Sequence, residues 1–132
     1  MTRFKTAGLL LVVAALGPLG GCGGGDSDRD AVDDVLSNLE SASRDGDGAR
    51  ICDEIFTPKL AASVSRSSKS GACATEVKAK LFSPDAEIDV EDISIGDDSS
   101  ATATVKEANG NVSKVFLVKQ GGEWRIRGVT AV

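Results

Sequence analysis

The chain has 132 residues, with 20 acidic against 15 basic side chains for a formal net charge of −5, and it contains no histidine and no tyrosine. That length holds one small core and a leash, not two domains. The acidic balance leaves no basic stripe for phosphate, so nucleic acid is excluded as a partner.

The first predicted element is an export signal. Arg3 and Lys5 precede an apolar run from Ala7 to Leu16, and small residues follow. The run is too short for a permanent span, which needs about 20 residues. The break reads Leu19-Gly20-Gly21-Cys22. It resembles the lipobox of bacterial lipoproteins, departing at Gly20, where that family more often carries Ala or Ser. The resemblance implies removal of 1–21, acylation (palmitate) of the Cys22 thiol, and a mature N-terminus at Cys22 on the extracytoplasmic side of the cell membrane. The other reading is a plain secretory signal with an incidental cysteine. Several acyl chains, at about 0.8 kcal/mol per buried methylene, make such an anchor stable.

Loss of Arg3 and Lys5 leaves 13 basic against 20 acidic residues, a net of −7. Such a chain is repelled by an anionic bilayer surface, so the lipid is the expected membrane contact. Residues 22–29, with Gly23-Gly24-Gly25-Asp26, have the composition of a flexible spacer, and 30–132 form the single domain.

Cys52 and Cys73 remain as an even pair in an exported domain, where a disulfide is expected. A metal site is the alternative, but two cysteines without histidine do not assemble the usual zinc sets. No metal is expected.

The domain opens with helical spacing. Val32, Val35, Leu36, Leu39 and Ala42 or Ser43 form a stripe that predicts a helix over 30–44. Gly46-Asp47-Gly48 stops it, and Asp47 is placed to cap a second helix bearing Ile51, Cys52, Ile55 and Phe56. Thr57-Pro58 reads as a cap followed by a proline start, with a short helical turn through Leu60 and Val64 and a serine-rich loop over 63–70. Cys73, Val77 and Leu81 recur every four residues, so a third helix turns its cysteine towards the core of the second.

After Ser83-Pro84 the period changes to two. Ile88 and Val90 share one phase and Ile93 and Ile95 the other, which predicts a bulge near Glu91-Asp92. Three strands follow, near 100–107, 112–119 and 123–129. Asn109-Gly110 predicts a two-residue hairpin loop, and Gln120-Gly121-Gly122 a three-residue one. These loops pair Ala103 with Phe116, and Phe116 with Ile126. The expected covered face then carries Ala101, Ala103, Val105, Phe116, Val118, Trp124 and Ile126. The outer face carries Val115 and Leu117 with Arg125 and Arg127.

Helices followed by a four-stranded antiparallel sheet give an α+β class, with the helices on one face of a curved sheet. The opening helix, the Arg44-Asp45-Gly46-Asp47 break, the Cys52 helix with its partner Cys73, and the meander ending Glu123-Trp124-Arg125-Ile126 resemble small exported lipoproteins of the nuclear transport factor 2-like superfamily. The likeness covers nearly all of 28–132. It implies a cone with a pocket at its open end, and frequent pairing through the outer sheet face.

Catalysts of that superfamily place Asp, His or Tyr inside the cone. With no His and no Tyr, acid–base work here would fall to a carboxylate such as Asp53, Glu54 or Asp89, and nothing in the pattern buries these. No serine or cysteine has an evident base to activate it, and the glycines form no phosphate loop, so neither catalysis nor a cofactor is expected. Glu91-Asp92 and Asp97-Asp98 do not have the spacing of a calcium loop. Two binding roles remain. One is an interaction face of Val115, Leu117, Arg125 and Arg127, for a second copy or another envelope protein. The other is a small apolar ligand held by Phe56, Phe82, Phe116 and Trp124.

Overall fold

The computed structural model describes residues 24–81 and 86–132. Cys22 and the signal segment lie outside the described residues, as does Phe82.

Helix α1 runs Gly24–Asp45 and buries Val32, Leu36, Leu39 and Ala42, the stripe expected of it. It starts within the stretch expected to be a spacer, so the spacer reading is corrected from Gly24 onwards. The C-terminus closes as a Schellman motif. Gly46 takes φ 66°, its N–H donates to Ser43 O, and the Asp47 N–H donates to Ala42 O at 2.9 Å.

Asp47 caps α2 (Gly48–Arg50), its carboxylate accepting from the Arg50 N–H at 3.0 Å. The chain continues into a π-helical turn, Ile51–Ile55, closed by the Phe56 N–H on Ile51 O and burying Ile51, Cys52 and Ile55. Thr57 then caps α3 (Pro58–Ser67) by accepting from the Leu60 N–H at 3.1 Å, so the helix extends into the expected serine-rich loop. Helix α4 spans Cys73–Leu81. Cys52 and Cys73 are disulfide-bonded with Cα atoms 6.2 Å apart, tying the π-turn to α4.

Strands β1 (Ile88–Ile95), β2 (Ser100–Glu107), β3 (Val112–Gln120) and β4 (Glu123–Ala131) form an antiparallel sheet in sequence order. The bulge sits where the change of phase placed it, between Val90 and Asp92. One extra residue there turns Ile88, Val90, Ile93 and Ile95 all towards the helices.

Both hairpin loops differ in length from the expectation. The β2–β3 loop is Ala108-Asn109-Gly110. Gly110 lies at φ 88° and donates to Glu107 O, the Glu107 N–H bonds Asn111 O, and the Asn109 side chain accepts from the Asn111 N–H. Asn109 has no positive φ, so the primed two-residue turn does not form. The β3–β4 loop is instead the two-residue one, with Gly121 and Gly122 at φ 60° and 82° between paired Gln120 and Glu123. Two adjacent glycines adopt this turn without a Cβ penalty.

Each one-residue slip turns a strand over. Ala101 pairs with Leu117 and Leu117 with Ile126, so Val115 and Leu117 lie on the covered face, 2% and 0% exposed. Phe116 and Val118 are on the outer face, half-buried. The two slips cancel in β4, where Trp124 and Ile126 keep their expected burial. A further bulge at Arg127 sets Phe116 opposite Gly128.

Helix α1 runs antiparallel to β1, with Arg29 near Asp92 at 4.0 Å and the Glu40 carboxylate accepting from the Ile88 N–H at 2.7 Å. One continuous core joins α1, the π-turn, α4 and all four strands. The described residues thus share one core and a covalent staple, the features of an independent folding unit.

Candidate functional site

Two concavities flank α1. At the end holding the β2–β3 loop, a cavity of about 360 Å³ lies between α1 and the sheet. Leu39 from α1, Phe56 from the link after the π-turn, and Val105 and Val115 from the sheet form its apolar wall. Its volume falls in the small-molecule range of ~300–1,000 Å³. Val129, 52% exposed, stands at the opening. The β4 bulge puts it there, by returning Val129 to the phase of Val115, its partner on β3.

Two buried polar side chains enter this wall, and Lys80, Glu87, Glu107 and Asn109 stand exposed at its rim. Ser43 lies one turn beyond Leu39 on the buried stripe of α1, and Ser113 precedes Val115 and Leu117 on the covered face of β3. They are 5% and 9% exposed. The sequence signal for Ser43 was its place in the apolar stripe. Ser113 had none until the β3 register was known.

At the other end of α1, a groove of about 520 Å³ runs between Ala31 and Val35, the π-turn and the β3–β4 loop. Its charged groups are already engaged. Arg50 donates to Asn38 at 2.8 Å and stands 3.9 Å from Glu54. Arg125 donates to the Asp53 and Phe56 carbonyls at 2.8 and 3.3 Å, and pairs with Glu123 at 3.5 Å. Arg125 thus closes the C-terminal end of the π-turn instead of presenting itself on the sheet.

The four aromatic residues expected around one ligand are not brought together. Phe56 lines the cavity, while Phe82 lies outside the described residues. Phe116 is on the outer face with the Arg127 guanidinium 5.8 Å from its ring centre. Trp124 borders the groove, its indole N–H donating to Asp28 at 3.2 Å and Lys119 standing 6.0 Å from its ring. The expected interaction face is corrected likewise. Val115 and Leu117 are core, Arg125 holds the π-turn, and Arg127 covers Phe116.

Asp53, Glu54 and Asp89 are exposed. Asp28 is held below the ordinary carboxylate value by its hydrogen bond from Lys119 at 2.8 Å, and next by the one from Trp124. Asp98 is lowered first by the Ser100 hydroxyl. Among the described residues no helix is long and apolar enough to cross a membrane.

The chain matches no protein-family model and no curated protein. Among solved structures it is similar to a protein of unknown function from Silicibacter pomeroyi DSS-3, described as NTF-2 like. That likeness has a TM-score of 0.58 at 15% identity and covers 81% of this chain and 98% of the other. The described residues thus have the NTF2-like α+β fold, which hosts unrelated functions and by itself assigns none.

Proposed function

We propose that this NTF2-like chain is an exported, lipid-anchored and non-catalytic protein that holds a small apolar molecule in its cone. The observation that carries the reading is the cavity of about 360 Å³ walled by Leu39, Phe56, Val105 and Val115. An apolar cavity with few polar groups is the usual form of a small-molecule site. Acylation of Cys22 supplies the anchor, and the helix beginning at Gly24 leaves one residue between them.

Native mass spectrometry of 24–132, exported so that its disulfide forms, tests the cone. Extra mass that is lost on activation and absent from Val129→Trp, which narrows the opening, supports the reading. An unliganded monomer in every preparation sinks it. A clean mass at twice the chain, abolished by Val118→Arg, would move the function to the outer sheet face, where Phe116 and Val118 are half-buried. The anchor is tested on the full chain in its host. It is expected in the detergent phase after phase separation, with Cys22→Ser failing to acquire lipid mass.

A further inference from the structure

The buried part of the cavity wall is apolar except for Ser43 and Ser113, while the polar residues Lys80, Glu87, Glu107 and Asn109 are exposed at its rim. Among the described residues neither hydroxyl has a hydrogen-bond partner, and no side-chain polar atom is sealed from solvent without one, so both open onto the cavity. Open to solvent, each hydroxyl is hydrated, so an apolar ligand that displaces the water must replace its hydrogen bond or lose affinity. Each is both donor and acceptor, and so suits an alcohol or a carbonyl oxygen equally.

The opening has the opposite selectivity to a fatty-acid site. Glu87 and Glu107 border the cavity, are exposed, and have no cationic partner among the described residues. Lys80, the cation of the lining, is paired with Glu76 at 2.6 Å. The neighbouring Glu40 is held by Arg44 at 3.0 Å. A carboxylate ligand would meet the like charges of Glu87 and Glu107 at the entrance, of which Glu107 accepts from the neutral Asn109 amide at 3.3 Å.

We infer, resting on the cone reading above, that the ligand is a neutral, largely apolar molecule carrying a hydrogen-bonding oxygen, which Ser43 and Ser113 engage, and that anionic amphiphiles are rejected.

Three probes of similar size separate these statements: benzyl alcohol, ethylbenzene and benzoate, titrated into 24–132 with the amide signals of Phe56, Val105 and Val115 as readout. Benzyl alcohol is expected to shift these signals and to bind at least tenfold more tightly than benzoate. In Ser43→Ala/Ser113→Ala the affinity ratio of alcohol to ethylbenzene is expected to fall about tenfold. Ser43→Ala alone, which raises helix propensity, reads part of that fall should the double variant not fold. A ratio unchanged within twofold, or benzoate bound as tightly as the alcohol, overturns the inference and leaves the cone reading standing. If none of the probes moves these amides, both are overturned.

Discussion

Trp124 and Asp28, 96 positions apart in sequence, are joined by a hydrogen bond of 3.2 Å from the indole N–H to the carboxylate. The same carboxylate oxygen accepts from Lys119 at 2.8 Å, so the start of α1 is pinned to the ends of β3 and β4. This contact ties the first turns of α1, in a glycine- and aspartate-rich stretch, to the sheet.

The contact is expected to be acid-labile. The folded pKa of Asp28 lies below its ordinary value of about 4, so its contribution is complete above that value and is lost as pH falls through the folded one. Urea midpoints followed by the single tryptophan should separate the native chain from Asp28→Asn at pH 7. The two should converge below the carboxylate range. A gap that persists there would mean the carboxylate charge is not what holds the helix start.

Breaking the disulfide should cost about 3 kcal/mol, the chain-entropy value for a loop of the 21-residue separation between Cys52 and Cys73. Cys52→Ala/Cys73→Ala, compared with the oxidised protein by denaturant unfolding, measures this. A loss under 1 kcal/mol would mean that α4 is held by packing alone.

The β3 register predicts unequal neighbours. Leu117→Ala removes a side chain with no exposure and should cost about 2–5 kcal/mol, whereas Val118→Ala on the half-buried outer face should cost under about 1.5 kcal/mol. The reverse order would restore the two-residue Asn109-Gly110 loop.

Gly48 permits α2 to lie against α4 beside the disulfide. A Cβ there would stand 2.2 Å from the Ala74 carbonyl oxygen, so Gly48→Ala should destabilise by about 1–3 kcal/mol despite its better helix propensity. Thermal unfolding of this variant checks it, and an unchanged or raised midpoint would show that α4 yields freely.

Features set by local period and turn chemistry were legible without the fold. The α1 stripe, the Asp47 and Thr57 caps, the Gly46 stop and the β1 bulge each depend on residues close in sequence, and the Cys52–Cys73 bridge, 21 residues apart, followed from the even count of cysteines left in an exported domain. Asn109-Gly110 marked a hairpin correctly but not its length, because a glycine at φ 88° fits a three-residue loop as readily as a two-residue one.

The sequence by itself therefore determined the α+β class, the order of elements and the pairing of the cysteines. Only the tertiary structure decided which face of β3 is core. The local difference between the two loops is small beside the roughly 1.5–3 kcal/mol for burying each large apolar side chain, and that burial is summed over strands distant in sequence. The same nonlocal choice delivers Ser113 to the cavity beside Ser43, moves Phe116 to the outside, and leaves Trp124 holding Asp28 at the opposite end of the helix from the cavity.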